Sequence, residues 1–181
     1  MNNELTGDSK SHLLQRRGLM AGVALLSALG GYGLWRLSQP EQLDADTEKK
    51  LWSSVFDTPD GSSLSLQDLK GKPLVINFWA TWCAPCVEEM PLINAFYQQK
   101  KSKSWQVVGL AIDQPSSVKK FLSQYPVEYL VGLAGLEGIE LAKNLGNLAG
   151  GLPFTVVLNA NGSILAKKLG KLNANDIKNW V

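Results

Sequence analysis

Two cysteines in the spacing Cys-x-x-Cys are the residues of this sequence best placed to carry out chemistry. Cys83 and Cys86 directly follow the apolar run 73–80 and begin a helical pattern over 84–100. Cys83 is therefore expected at a helix N-terminus, where free backbone N–H groups stabilise a thiolate and lower a thiol pKa from about 8.5 to roughly 3.5–7.5. Such a thiolate can attack a disulfide in another protein, and Cys86, one turn later, can resolve the mixed disulfide. The spacing therefore predicts thiol–disulfide exchange.

Other uses of the cysteine pair have weaker support. An inert structural bridge would close a very short loop and gain little stability, and two buried thiols are a further alternative. A four-ligand zinc site within one chain is excluded, because His12 is the only histidine. Binding of Cu(I) is chemically permissible, but Met90 is the only methionine beyond the first 20 residues. No metal site is predicted.

Composition and charge indicate a folded domain and exclude several partner classes. The chain has 181 residues, of which 45% are hydrophobic and 19% charged, as is ordinary for a globular protein. Its 18 basic and 16 acidic residues leave a formal net charge of +2. That balance does not provide the basic surface needed to bind a phosphate backbone, so nucleic acid is not expected as a partner.

An uncharged run over 18–35 suggests that most of the chain is exported. As a helix it would extend about 27 Å, just enough for the hydrocarbon core of a bilayer. Basic residues precede it (Lys10, Arg16, Arg17) and acidic residues follow it, so the N-terminus is expected in the cytoplasm and the rest outside. The predicted segments are a cytoplasmic tail 1–17, a transmembrane anchor or signal segment 18–36, a linker 37–49 and a domain 50–181.

Two other interpretations of this apolar segment stay open. A cleaved signal peptide is supported by small residues at 28–30 and 31–33 and by a twin-arginine-like pattern at 15–20. A buried core helix is disfavoured by the glycines of the run and by the lack of an amphipathic face. We favour an uncleaved single-pass anchor, because the apolar run continues past both cleavage sites. The anchor and the cleaved signal both place the domain outside the cytoplasm, in the periplasm.

The pattern beyond the linker alternates between strands and helices, which predicts an α/β fold with parallel pairing. A Pro-Asp-Gly turn indicates an opening hairpin, and Asn-Gly indicates a second turn near the end of the chain. The predicted strands are 51–56, 63–66, 73–80, 105–113, 154–158 and 163–166. The predicted helices are 84–100, about 118–125, about 136–145 and about 174–180.

The segment 77–86, NFWATWCAPC, followed by Glu89, Met90 and Pro91, resembles the TlpA-like branch of exported thiol-disulfide oxidoreductases. The resemblance covers residues from about 51 to the end. It implies a thioredoxin fold, a three-layer structure whose mixed central sheet is flanked by helices, with an N-terminal β-hairpin extension. It also implies that Pro91 kinks the catalytic helix rather than ending it.

The resemblance further implies the site residues beyond the two cysteines. Pro153 matches the cis-proline of the family, and the backbone of Leu152 would pair with an extended substrate segment. Trp82, with Ala84 and Pro85 between the cysteines, would contact substrate. Trp79 could shelter the site or belong to the core, and Asp113 could either face the site or cap the following helix.

Asn77 is a departure from ordinary thioredoxin, which has a buried aspartate at this position for proton transfer to the second cysteine. Glu89 lies three residues after Cys86 on the same helical face, where an apolar setting would raise its pKa and allow proton exchange with Cys86. The TlpA-like branch has an acid at this position. The alternative is that Glu88 and Glu89 both lie in solvent and merely complement the helix dipole. We predict a catalytic Glu89 and a solvated Glu88.

By resemblance, the expected function is reduction of disulfides in exported client proteins, including apocytochromes c and copper-site proteins. Electrons would come from a membrane dithiol donor, and no bound cofactor is needed. A peroxiredoxin-like peroxidase shares the fold, but the sequence lacks its Pro- and Thr-containing cysteine motif. A Cu(I) carrier is the other alternative.

Overall fold

The structure is a computed structural model that describes residues 30–31 and 41–180. The described residues 41–180 belong to a compact unit that spans Pro40–Val181. The predicted tail 1–17 and almost all of the predicted anchor 18–36 lie outside the described residues. Within the described part of the chain, no helix is both long enough and apolar enough to cross a membrane.

Seven strands form one mixed sheet in the order β2-β1-β5-β4-β3-β6-β7. Strand β3 lies inside the sheet, with β4 parallel on one side and β6 antiparallel on the other. All six residues of β3 are buried, which explains why the run 74–79 is almost continuously apolar. The strands are β1 (Val55–Asp57), β2 (Ser63–Ser65), β3 (Leu74–Trp79), β4 (Gln106–Ala111), β5 (Leu130–Leu133), β6 (Phe154–Leu158) and β7 (Ile164–Leu169).

Helices cover both faces of the sheet and form two apolar cores. Leu74, Ile76 and Phe78 of β3 belong to the core that includes residues of α1 and α4, whereas Val75 and Trp79 belong to the core that includes residues of α2 and α3. This alternation is the period of two expected for a strand with both faces covered. The helices are α1 (Ala45–Ser53), α2 (Ala84–Lys100), α3 (Pro115–Gln124), α4 (Gly135–Asn144) and α5 (Ala174–Lys178). The predicted three-layer thioredoxin fold is confirmed.

The start of the domain differs from the sequence-based prediction. Residues 51–53, predicted as strand, are the last turn of α1, which begins at Ala45 within the segment predicted as linker. The Asp44 side chain caps this helix by accepting a hydrogen bond from the Thr47 N–H at 2.9 Å. Leu51 and Trp52 are buried. The apolar pair that suggested a strand therefore lies on the buried face of a helix. The hairpin is shorter than predicted, and its strands are β1 and β2.

Strand β5 was not predicted. It has four residues with Gly132 inside, and glycine weakens a strand signal. The glycine is required by close packing, since a Cβ at this position would lie 3.0 Å from Leu110 Cδ2 and 3.1 Å from Phe56 Cβ. The other predicted elements are present, with ends that differ by a few residues. Pro91 lies inside α2 and does not end it.

Candidate active site

Cys83 and Cys86 form a disulfide at the N-terminus of α2, with their Cα atoms 5.3 Å apart. Cys83 is the N-cap residue of this helix, and the first turn contains no acidic residue that would compete for the free N–H groups. Cys83 is 6% exposed, whereas Cys86 is completely buried. A thiolate at position 83 would therefore be stabilised by the helix terminus, and Cys83 is the more exposed of the two cysteines.

Ala84 and Pro85 occupy the first two positions of α2 after Cys83, and both are exposed beside the disulfide. Trp82 precedes Cys83 and is 68% exposed, unusually high for a tryptophan. It lines a shallow groove of about 360 Å³ together with Leu136, which is 84% exposed. Trp79 is instead fully buried and packs on Phe121, with ring centroids 5.5 Å apart, so it belongs to the core.

Asp113 holds the loop that leads into the cysteines. Its Oδ2 accepts hydrogen bonds from the Thr81 N–H at 2.9 Å and the Thr81 hydroxyl at 2.5 Å, and its Oδ1 accepts from the Gln114 N–H at 2.7 Å. Gln114, rather than Asp113, is the N-cap residue of α3. Burial tends to raise the pKa of Asp113, but the hydrogen bonds from Thr81 and Gln114 outweigh it and lower that pKa below its usual range. Asp113 therefore anchors Thr81, two residues before Cys83, to the start of α3.

We expect the Thr81→Val variant to lower the free energy of unfolding by about 1 kcal/mol at neutral pH, because it removes one donor from a carboxylate. A lowered pKa contributes stability above the unfolded-state value and loses it as the pH falls, so the difference from wild type should shrink below pH ~4. Urea unfolding at several pH values measures it, with Ser116→Ala on the exposed face of α3 as the matched control. An equal loss at pH 7 and pH 3 would contradict this assignment.

Glu89 is buried within the protein and hydrogen-bonded through both oxygens. Its Oε1 accepts from Asn77 Nδ2 at 2.8 Å, and its Oε2 accepts from the Leu172 N–H at 2.6 Å. Burial raises the pKa of Glu89, although the hydrogen bonds from Leu172 and Asn77 act in the opposite direction. Glu88 is exposed and pairs with Lys171. The alternative in which both carboxyls lie in solvent is therefore wrong for Glu89.

Sequence reasoning missed the partners of Glu89. Asn77 was identified only as the replacement for an aspartate, yet its amide also donates to Thr155 Oγ1 at 3.0 Å and so joins β3, β6 and α2. An asparagine in the middle of an apolar strand was the available signal, because a buried amide needs polar partners. Nothing in the sequence pattern indicated Leu172, which contributes only a backbone N–H.

Leu152 and Pro153 precede β6 and are joined by a cis peptide bond. Phe154 pairs with Phe78, so these two residues lie at the end of the sheet where β3 leads to the cysteines. The Pro153 carbonyl accepts a hydrogen bond from the Gly170 N–H at 2.8 Å. Among the described residues, the N–H and carbonyl of Leu152 have no backbone partner.

Residues 41–180 contain no group of three or more His, Cys, Asp and Glu side chains placed to hold a metal ion. The chemistry available at this site is that of the cysteine pair. One sulfur lies near the surface at a helix terminus, its partner is buried, and a buried carboxyl with a raised pKa lies one helical turn beyond the partner. This arrangement supports two-electron thiol–disulfide exchange.

Known proteins share this sequence pattern over most of the chain. The Redoxin family model matches residues 47–180. The thiol-disulfide oxidoreductase ResA of Bacillus cereus is 28% identical over 162 residues, which cover 88% of this chain and 90% of the relative. ResA of Bacillus thuringiensis subsp. konkukian is 30% identical over 160 residues, with the same coverage of 88% and 90%.

Solved structures agree with this similarity. A thiol:disulfide interchange protein of the thioredoxin family from Chlorobium tepidum is 27% identical and superposes with a TM-score of 0.65. The match covers 79% of this chain and 95% of that protein. A thioredoxin-related protein from Neisseria meningitidis serogroup B is 35% identical and superposes with a TM-score of 0.61. The match covers 69% of this chain and 93% of that protein. The chain therefore belongs to the Redoxin family, as a TlpA-like thiol-disulfide oxidoreductase with the thioredoxin fold.

Proposed function

We propose that this enzyme works as a reductase of specific client proteins outside the cytoplasm, with apocytochromes c and copper-site proteins as the expected clients. The observation that carries the exchange chemistry of this proposal is the asymmetry of the disulfide, in which Cys83 is 6% exposed and Cys86 is fully buried. The direction of the reaction and the clients are inferred from the resemblance described above. Cys83 is the more exposed of the two cysteines, so a client would approach its sulfur first.

In the reduced enzyme, the Cys83 thiolate attacks one sulfur of a client disulfide. A bond forms between Cys83 Sγ and that sulfur, the client S–S bond breaks, and the other client sulfur leaves as a thiolate that takes up a proton. The Cys86 thiolate then attacks Cys83 Sγ and releases the second client sulfur, which is also protonated. The client gains two electrons, and the Cys83–Cys86 disulfide of the structure is the oxidised product.

Glu89 is proposed to accept the proton that Cys86 loses before it attacks. Both residues are buried, and they are neighbours at i and i+3 on one face of α2. Burial raises the pKa of Glu89, so the carboxyl binds a proton more readily than a solvated glutamate. A buried thiol has little access to water, and a carboxyl placed beside it would provide a route for its proton.

The Leu152 backbone is proposed to align the client segment that carries the reacting sulfur. Its N–H and carbonyl have no backbone partner among the described residues, and an extended peptide could pair with them as an added strand. Trp82 would contact the same segment from the other side, because its exposed ring immediately precedes Cys83. The segment would be held by main-chain hydrogen bonds on one side and by apolar contact on the other.

The proposed location rests on the uncharged run within residues 18–36 and on the basic residues before it. With 18–36 as a single-pass anchor, the domain would lie in the periplasm, beside a membrane dithiol donor that returns Cys83 and Cys86 to the reduced state. An oxidising compartment makes such a donor necessary, because each turnover leaves the enzyme oxidised.

The reduction potential of the Cys83–Cys86 pair tests the direction of the reaction. We expect a reducing value, below the roughly −120 mV of strong oxidants. The measurement is equilibration of the purified protein with thiol–disulfide buffers of known potential, with Cys83→Ser as the blank for buffer reactions. A potential at or above about −120 mV would mean that the enzyme oxidises its clients.

A further inference from the structure

The turn Gly170–Leu172 follows β7 and contacts two separate parts of the redox site. At one end, the Gly170 N–H donates to the Pro153 carbonyl at 2.8 Å. At the other end, the Leu172 N–H donates to Glu89 Oε2 at 2.6 Å. Gly170 has a φ of +90°, a conformation that glycine adopts without strain. The position of this turn determines whether Glu89 receives its backbone hydrogen bond.

Lys171 lies between these two contacts and ties the middle of the turn to the catalytic helix. Its Nζ is 2.5 Å from Glu88 Oε2, and Glu88 directly precedes Glu89 on α2. Leu172 is buried in the core that also contains Cys86. The ion pair lies on the surface, yet the backbone that it holds donates to a buried carboxylate.

We propose that Lys171 is a positioning residue for Glu89, because its ion pair with Glu88 holds the Leu172 N–H against the Glu89 carboxylate. The proposal deepens the role given above to Glu89 and rests on it. Neither Lys171 nor Glu88 would touch the reacting sulfur atoms. Their contribution is to keep one donor on the ionised form of the carboxyl, which favours that form.

Several charged groups shift the pKa of Glu89. The sign of each shift is known, so the effect of positioning the Leu172 N–H can be separated from the effect of adding or removing a charge. The positive charge of Lys171 lowers the pKa of Glu89, whereas the negative charge of Asp176 on α5 raises it. Lys168 of β7 pairs with Asp176 at 3.5 Å. Burial raises the pKa of Tyr129, and the Glu89 charge acts in the same direction. Glu88 itself lies on the same helix.

Removing Glu88 distinguishes the two effects because they have opposite signs. If only charge acted, Glu88→Ala would remove a negative neighbour, leave Lys171 in place and lower the titration midpoint of Glu89. If the ion pair positions the turn, the same variant would loosen the Leu172 hydrogen bond and raise the midpoint. An exposed ion pair is weak, so we expect a rise of about 0.5 pH unit.

The experiment is a pH titration of the Glu89 side-chain carboxyl carbon by ¹³C NMR in the oxidised protein. We expect both Glu88→Ala and Lys171→Ala to raise the midpoint, and Lys171→Arg, which keeps the charge and the pair, to leave it at the wild-type value. Faster hydrogen exchange of the Leu172 amide in the two alanine variants is expected as the second readout. An unchanged or lowered midpoint in Glu88→Ala overturns the proposal.

This readout does not depend on the reductase function. The oxidised protein carries no free thiol, so the titration reports the ionisation of Glu89 whatever the direction of catalysis. A failure of the reductase assignment would leave the NMR shifts as they are, and an absence of the shifts would leave the reductase assignment intact. The two conclusions can therefore be rejected separately.

Discussion

Replacement of Cys86 by serine is expected to turn the enzyme into a trap for its clients. The Cys83 thiolate would still attack a client disulfide, but no thiol would remain to release the product, so the mixed disulfide would accumulate. Cys83→Ser should form few such complexes, because the remaining thiol is fully buried. Both variants should lose multiple-turnover activity completely, and the first should gain far more covalent partners than the second.

Capture of covalent complexes on non-reducing gels, followed by their release with a reductant, measures this difference. The double variant Cys83→Ser, Cys86→Ser is the matched control, since it has neither sulfur. Equal capture by the two single variants would mean that burial in the oxidised state does not determine which sulfur attacks. The assignment of Cys83 as the attacking thiol would then be wrong.

Replacement of Glu89 by glutamine is expected to slow release of the client by about 10²–10⁴-fold near neutral pH, the usual contribution of a positioned acid or base. The amide keeps the shape of the carboxyl but cannot take the proton from Cys86. The rate should recover at high pH, where Cys86 ionises without help. Single-turnover kinetics of client release as a function of pH measures both the loss and the recovery.

Glu137 is an exposed glutamate in the first turn of α4, and Glu137→Gln is the matched control for the removal of one negative charge.

A measurement of stability against pH tests the Glu89 carboxyl independently. Because the pKa of Glu89 is raised in the folded state, its ionisation costs stability, and the free energy of unfolding should fall as the pH rises from the unfolded value to the folded one. Glu89→Gln should lack that decrease. An unchanged pH profile of client release would remove Glu89 from the mechanism.

Much of the fold and the centre of the site could be predicted because their signals are local. The run 74–79 is apolar except for Asn77, and Cys83 follows it at the start of a helix, so strand, cysteine and helix are contiguous in sequence. Helix α1 was missed because its apolar residues resemble the start of a hairpin, although the cap at Asp44 was a readable helix signal. Strand β5 was too short and contains a glycine.

The environment of Glu89 could be predicted only in part. Its spacing from Cys86 on a helix indicated a shared face, and the structure buries it there. Its hydrogen bond from Leu172 joins residues 83 positions apart and uses a backbone N–H, which every residue other than proline provides. Side-chain patterns contain no information about such a donor. Tertiary packing alone determines it.

The order of strands in the sheet makes the redox site a late product of folding. Asn77 and Thr155, which meet beside Glu89, are 78 residues apart, and Leu172 comes later still. Contacts between distant segments form only after a long loop closes, so a chain emerging N-terminus first presents both thiols before Thr155 and Leu172 can complete the surroundings of Glu89. A nascent or truncated chain that ends before β6 would have the reactive cysteines without the surroundings that control them.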